Sequence, residues 1–254
     1  MAKLLLLTPG LPFPPMQGTA LRNWGIISGL APRHHITLLS FARTAAAAAP
    51  ELLAACGRVV LVPQPARSAF ARLATLALST QPDLALRLSS PLYAQHLRTL
   101  LATEDYDVIQ MEGLELGCYM PMLRAYKQRH PAARIIYDAH NAETMLQQSV
   151  VAAEPDNPTR WLAAAYSRAQ LPRLQRFERA VCSSADAITC VAAAMHGRMS
   201  ASSPVTRTPS LPARRCTAGA GSRPATTNSA PGTARCTSGS TLLANHNTPS
   251  TFGR

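Results

Sequence analysis

Short apolar runs alternate with stretches of helical periodicity through the first three quarters of the chain. The runs are rich in Leu, Ile and Val, are bounded by turn residues, and recur at intervals too long for β-hairpins. They are KLLLLTPG (3–10), HITLLSF (35–41), RVVLVP (58–63), DVIQM (107–111), RIIYDA (134–139) and AITCV (187–191). Apolar strands separated by helices predict a parallel sheet that is covered on both faces. Because crossovers between parallel strands are right-handed, we expect a doubly wound, Rossmann-like α/β domain.

Three of the intervening stretches place apolar residues at helical spacing. Each predicts an amphipathic helix whose apolar stripe packs against the sheet. The stripes are Leu21, Trp24, Ile27 and Leu30 in the first stretch, Leu92, His96, Leu97, Leu100 and Leu101 in the second, and Leu174, Phe177 and Val181 in the third.

The pattern stops near residue 200. Residues 200–254 are mainly Ser, Thr, Pro, Ala, Gly and Arg, and their one pair of adjacent large apolar residues is Leu242 and Leu243. Such a segment cannot bury enough apolar surface to offset its chain entropy. We therefore predict a domain over residues 1–199 and a disordered, basic, low-complexity tail over residues 200–254. The abrupt change of composition favours a C-terminus that is truncated or read from GC-rich DNA in a shifted frame.

The chain has a formal net charge of +12, from 25 Lys and Arg against 13 Asp and Glu. All of the acids lie within residues 1–186, whereas residues 187–254 hold seven Arg and no acid. A nucleic-acid-binding face usually shows clustered basic residues interleaved with aromatic residues, and this chain shows neither feature. We therefore predict no nucleic-acid partner.

The six cysteines show neither CxxC spacing nor a histidine at metal-ligand distance. No metal site and no cofactor is predicted from them. The apolar run at the N-terminus, MAKLLLLTPG, is too short for a signal peptide or a membrane span. A cytoplasmic, reducing location without disulfides is therefore expected.

Ligands of doubly wound sheets bind at the carboxyl ends of the strands. The loop TPGLPFPPMQGTALRN, residues 8–23, follows the first strand and contains four prolines ahead of Gly18. Prolines stiffen this loop, while Gly18 lets backbone amides approach a ligand at a helix N-terminus, which favours an anion. The loop lacks the GxGxxG pattern of dinucleotide-binding proteins. A rigid connection without a ligand is the alternative.

The stretch RIIYDAHNAETM, residues 134–145, places polar side chains directly after the fifth strand. Asp138, His140 and Asn141 combine a carboxylate, an imidazole and an amide, and His140 can hydrogen-bond to a polyol or a phosphate. The alternative is that Asp138 and Asn141 cap the next helix and that His140 is an ordinary loop histidine. For Asn141, capping is favoured.

Charged residues elsewhere give weaker signals. Glu112 and Glu115 follow the fourth strand and fit an acid pair, although solvated loop carboxylates are favoured. Arg173, Arg176, Arg179 and Glu178 are predicted to form the exposed face of a helix.

Taken in order, these pieces resemble family 4 retaining glycosyltransferases of the GT-B fold over about residues 3–199. The resemblance rests on LPFPPMQGTALRNWGIISGLAPRHHITLLSF, DYDVIQMEG, RIIYDAHNAETM and RLQRFERAVCSSADAITCVAAAM. It implies the N-terminal, acceptor-side half of such a fold, with a nucleotide-sugar donor and a glycan or lipid-linked acceptor. It also implies that His140 is the catalytic residue at the donor sugar, that Gly18 lies near the diphosphate, and that Arg22 and Asn141 bind substrate, Arg22 on the acceptor side.

The sequence departs from the family pattern at several points. Gln17 stands where the first of two glycines is usual, and Ala192 stands where a serine is usual. The E-x(7)-E motif that binds the nucleotide sugar in the family cannot occur in residues 200–254, because they contain no acid. We therefore expect a chain without a donor domain and without transferase activity of its own, either cytoplasmic or peripheral on the inner face of the membrane. The alternative is a non-catalytic, Rossmann-like binding module with a flexible basic tail.

Overall fold

A computed structural model describes residues 1–43, 48–66, 68, 79–141, 143–153 and 161–190. The predicted tail over residues 200–254 lies outside the described residues, and so do residues 191–199 at the end of the predicted domain.

Six parallel strands form a single sheet. Their order is β3-β2-β1-β4-β5-β6, and the strand order reverses between β1 and β4. The strands are β1 (Lys3–Thr8), β2 (His35–Ala42), β3 (Arg58–Pro63), β4 (Val108–Glu112), β5 (Arg134–Ala139) and β6 (Ala187–Cys190). Each coincides with one of the apolar runs to within two residues. The predicted doubly wound parallel sheet is therefore confirmed, and its switch point, where ligands bind in such sheets, lies between β1 and β4.

Helices cover both faces of this sheet. They are α1 (Gly18–Leu30), α2 (Pro50–Ala55), α3 (Asp83–Arg87), α4 (Pro91–Thr103), a 3-10 helix (Leu114–Tyr119), α5 (Met120–Arg129), α6 (Glu143–Ala153) and α7 (Trp161–Ser184). Helices α1 and α2 pack on the face that carries Leu6 and Leu38, whereas α4, α5 and α7 pack on the face that carries Leu5 and Leu7. Within the described ranges, no helix is long and apolar enough to cross a membrane.

Helix α1 buries a different set of residues from the predicted stripe. Ile27 is fully buried as expected, but Leu21 is 61% exposed, and Asn23 is buried in its place. Residues at steps of three drift around a helix of about 3.6 residues per turn. The prediction for Leu21 was therefore wrong, because Leu21 has rotated off the face that buries Asn23 and Ile27.

Helix α4 shows a smaller shift of the same kind. Leu97, Leu100 and Leu101 are buried as predicted, whereas Leu92 is 42% exposed and Tyr93 is fully buried. The Tyr93 ring stacks on Phe41 at 4.4 Å, and its hydroxyl donates a hydrogen bond to the Leu39 carbonyl. An aromatic ring with a buried polar partner thus replaces the predicted leucine in the core.

Helix α7 buries Leu174 and Val181 as predicted. Arg176 and Arg179 are exposed, but Arg173 and Glu178 are half-buried. The prediction of one exposed charged face was therefore wrong for these two residues, because the helical repeat places them at the borders of the apolar stripe and places Arg176 and Arg179 opposite it.

Replacing Gly117 with alanine is expected to lower the free energy of unfolding by about 1–3 kcal/mol, because extra atoms in a packed core force its neighbours to move. A Cβ at this position would lie 2.7 Å from Phe177 Cζ and 2.7 Å from Val181 Cγ2, both on α7. Urea denaturation measures the change. The matched control is Gly25→Ala in α1, where nothing lies within 4 Å of the new Cβ and a gain of about 0.5–1 kcal/mol is expected. Equal stability of the two variants would contradict the close packing of α7 on the 3-10 helix.

Candidate functional site at the carboxyl edge of the sheet

Polar side chains occupy one of the last two positions of four strands, on the face of the sheet that α1 covers. Glu112 of β4 lies in register with Asp138 of β5, and Asp138 with Thr189 of β6. Thr8 ends β1, two residues after Leu6 and therefore on the same face. The Glu112 and Asp138 side chains are fully buried. Two carboxylates thus lie side by side beneath α1.

Asp138 is held by Arg22, which reaches it from the second turn of α1. The Arg22 guanidinium donates two hydrogen bonds, from Nε to Oδ2 at 2.8 Å and from Nη2 to Oδ1. Thr189 Oγ1 donates a further bond to Oδ1 at 2.6 Å. Burial alone would raise the pKa of Asp138, but the bonds from Arg22 and Thr189 hold it below its ordinary value. The interpretation of Asp138 as a helix cap was therefore wrong.

Glu112 is paired with His140. His140 Nε2 lies 2.8 Å from Glu112 Oε2, while Gln110 Nε2 donates to Oε1. Burial alone would lower the pKa of His140, but the hydrogen bond and the charge of Glu112, with the charges of Asp138 and Glu115, raise it above its ordinary value. Burial raises the pKa of Glu112 above its ordinary value, although its hydrogen bond with His140 opposes this shift. That bond favours the ionised form of each partner, an imidazolium and a carboxylate. The preference for a solvated Glu112 was wrong, because this residue ends a buried strand instead of lying in a loop.

Arg22, Glu112, Asp138 and His140 form a charge quartet of two cations and two anions. Donor atoms of Glu112, Asp138 and His140 lie within 4.8 Å of one another, a spacing that suits a metal ion. However, Arg22 already occupies both oxygens of Asp138, and the four charges balance without an ion. A divalent cation would have to displace the guanidinium. The arrangement therefore fits a protein ion-pair network better than a metal centre.

Gly113 connects the quartet to Glu115. Gly113 follows β4 with φ at +80°, a conformation that favours glycine. A Cβ there would lie 2.7 Å from Glu115 Oε2 and 3.5 Å from His140 Nδ1. Glu115 is partly exposed, and its Oε1 accepts a hydrogen bond from Arg87 Nη2 at 2.7 Å. Glu115 is thus fixed beside His140 by an ion pair, rather than solvated in a loop as the sequence favoured.

Gly18 is the first residue of α1 and is exposed. Nothing lies within 4 Å of the position that a Cβ would take there. Two contacts hold the preceding loop: the Phe13 ring meets Trp24 of α1 edge-on at 4.8 Å, and Gln64 Nε2 donates to the Pro9 carbonyl at 3.1 Å. The helix N-terminus is therefore open to solvent at the end of an anchored loop.

Some of the predicted site residues lie together in the structure, and others lie apart from them. Arg22 and His140 meet through the two carboxylates, and Gly18 lies one turn before Arg22. Asn141 is exposed, and its Nδ2 donates to Glu143 Oε1 at 3.3 Å rather than to a member of the quartet. Sequence reasoning missed Glu112 as a partner of His140, although the shared position of Glu112 and Asp138 at the ends of adjacent strands was a usable signal.

Comparisons with known proteins give similarity at the level of solved structures only. No protein-family model matches the chain, and no curated protein sequence matches it. The chain is similar to a sucrose-phosphate synthase from Thermosynechococcus elongatus, at 12% identity and a TM-score of 0.45 over 74% of this chain and 42% of that chain. It is also similar to Phytolacca americana UGT2 complexed with UDP-2fluoro-glucose and pterostilbene, at 12% identity and a TM-score of 0.39 over 74% of this chain and 46% of that chain.

A third similar structure is a short-chain dehydrogenase/reductase from Veillonella parvula in complex with NADP, at 14% identity and a TM-score of 0.34 over 70% of this chain and 64% of that chain. The chain thus spans less than two thirds of the length of all three proteins. Identities and TM-scores this low transfer neither a function nor a ligand to it.

Removing Arg22 is expected to destabilise the fold strongly, because it leaves the buried Asp138 carboxylate without its cation. We expect Arg22→Gln to lower the free energy of unfolding by about 3–5 kcal/mol, and Arg22→Gln with Asp138→Asn to cost less than the sum of the two single changes. Urea denaturation of the double-mutant cycle measures the coupling. The matched control is Arg58→Gln, which breaks the exposed ion pair with Glu104 and should cost less than about 1 kcal/mol.

The stability difference between the wild type and Asp138→Asn should depend on pH through the pKa of Asp138. Because that pKa is lower in the folded state than in the unfolded chain, the ion pair contributes its full stability above the unfolded value. The contribution is lost as the pH falls through the folded value. The stability gap between the wild type and Asp138→Asn should therefore narrow in acid. A gap that stays constant as the pH falls below the unfolded pKa of about 3.9 would show that folding does not lower the pKa of Asp138.

Proposed function

We propose that residues 1–199 are the acceptor-side, Rossmann-like half of a sugar-transferring enzyme, and that the carboxyl edge of the sheet binds a nucleotide sugar. The observation that carries the proposal is the meeting of Arg22 and His140 in one charge quartet. These residues belong to two separate stretches of the family resemblance, and both are fixed at the edge where doubly wound sheets bind ligands.

The chemistry of this edge suits the two parts of such a ligand. The N-terminus of α1, with its partial positive charge and the exposed Gly18, favours the diphosphate. The protonated His140 offers hydrogen-bond donation to a sugar oxygen. In this proposal Arg22 borders the acceptor side, with 28% of its side chain exposed, and Asn141 contacts substrate from the rim.

We further propose that this chain alone does not turn over a nucleotide sugar at an appreciable rate. Transfer requires the leaving diphosphate to be neutralised as the glycosidic bond breaks, and electrostatic stabilisation of this kind is usually the largest catalytic term. In the family that the sequence resembles, much of that work belongs to a donor domain whose E-x(7)-E motif cannot occur in the acid-free residues 200–254. Loss of a single such donor typically costs about a hundredfold or more in rate.

A panel of UDP-, GDP- and ADP-sugars tested by calorimetry should include at least one ligand that binds. His140→Ala is expected to weaken that binding roughly 10- to 100-fold, because a hydrogen bond to a charged group contributes about 1.5–3 kcal/mol. The control is His35→Ala, which removes an exposed histidine at the opposite, amino edge of the sheet. Its affinity should equal that of the wild type.

The same samples can be assayed for product, with free sugar and nucleoside diphosphate as the readout. Binding without turnover is expected. Micromolar binding with turnover would contradict the proposed inactivity of the isolated chain. If no member of the panel binds, or if His35→Ala weakens binding as much as His140→Ala does, the proposed site is wrong.

A further inference from the structure

The two nitrogens of His140 have different surroundings. Nε2 lies 2.8 Å from Glu112 Oε2, inside the sheet edge. Nδ1 lies beside Gly113, 3.5 Å from the position that a Cβ on this glycine would take, and the hydrogen bonds within the described ranges include none to Nδ1. The His140 side chain is 14% exposed, whereas Glu112 is fully buried. The nitrogen that remains for a ligand is therefore Nδ1.

We propose that Glu112 is a positioning residue that orients His140 through Nε2, so that the group offered to the ligand is the Nδ1–H donor beside Gly113. This inference rests on the proposed function for the identity of the ligand, and on the geometry alone for the orientation of the ring. Glu112 is suited to the role because it ends a strand and its other oxygen accepts from Gln110. A carboxylate fixed in this way leaves the imidazole one orientation.

The carboxylates around His140 raise its pKa and so favour the imidazolium, in which both nitrogens carry a proton. Glu112 contacts it from β4, Asp138 precedes it on β5, and Glu115 lies beside it from the 3-10 helix. Arg22 of α1 forms an ion pair with Asp138, and Arg87 of α3 forms one with Glu115, so each of these two carboxylates already has a cation. Glu143 of α6 lies near Glu115. Glu112 pairs with His140 instead. In this charged form Nδ1 donates to a ligand while Nε2 donates to Glu112.

This arrangement selects the chemical class of the group that it binds. An Nδ1–H donor needs an oxygen acceptor, which excludes an ammonium or another cation. Glu115 Oε2 and His140 Nδ1 lie 2.7 Å and 3.5 Å from the position that a Cβ on Gly113 would take. A carboxylate there repels a phosphate oxygen but accepts a hydrogen bond from a hydroxyl. A hydroxyl group both accepts and donates, so it satisfies His140 and Glu115 together. The site beside Gly113 is thus suited to a sugar hydroxyl, whereas the α1 N-terminus suits the diphosphate.

The test uses the ligand-free chain and observes the imidazole nitrogens by long-range ¹H–¹⁵N NMR. In the wild type, both nitrogens of His140 should be protonated at neutral pH, and the ring should titrate above the ordinary histidine pKa of about 6.5. In Glu112→Gln the pKa should shift downward, because the amide keeps a partner for Nε2 but removes the charge. The control is Glu104→Gln, which alters an exposed ion pair with Arg58 and should leave the His140 titration unchanged.

Two results would overturn the proposal. One is a wild-type His140 in which either ring nitrogen carries no proton at neutral pH, a measurement that stands even if Glu112→Gln does not fold. The other is a Glu112→Gln variant in which His140 titrates as it does in the wild type. Neither result depends on a ligand. If no nucleotide sugar binds while the titrations behave as expected, the proposed function fails and the orientation of His140 stands.

Discussion

The burial of two carboxylates side by side is the constraint on which the rest of this site depends. Glu112 is the last residue of β4 and lies in register with Asp138, the penultimate residue of β5, and neither side chain reaches solvent. Two such charges cannot both ionise in a protein interior unless cations compensate them. Arg22 comes from a helix after β1, and His140 comes from the loop after β5. Charge compensation therefore ties α1 and the ends of β4 and β5 into one unit.

The loop after β1 determines where this compensation takes place. Its prolines restrict the backbone, and the contact of Phe13 with Trp24 fixes the approach of the chain to α1. Because α1 begins at Gly18, Arg22 lies in its second turn, within reach of Asp138. The same geometry leaves the helix N-terminus exposed. A ligand that binds there meets donors that are already held in place, so little ordering entropy opposes binding.

The fold followed from the sequence more fully than the site did. Strands buried on both faces leave continuous apolar runs, so all six were predicted within two residues. Leu21 was misplaced because residues at steps of three drift around a helix of about 3.6 residues per turn, so Leu21 lies off the buried face. Glu112 and Asp138 were misjudged for a different reason: local signals suggest caps and solvated loops, while their partners lie far away in sequence. Only the strand order brings these charges together.

The depth of the charges determines which of them a ligand at this edge would meet first. Glu112 and Asp138 have no exposed side-chain surface, whereas Arg22 is 28% exposed and His140 is 14% exposed. The quartet is neutral as a whole, yet its negative half lies inside and its positive half faces outward. Coulomb interactions fall with distance, so a group at the surface meets the cations first. The buried carboxylates orient these cations, and without them neither the guanidinium nor the imidazolium would have a fixed direction.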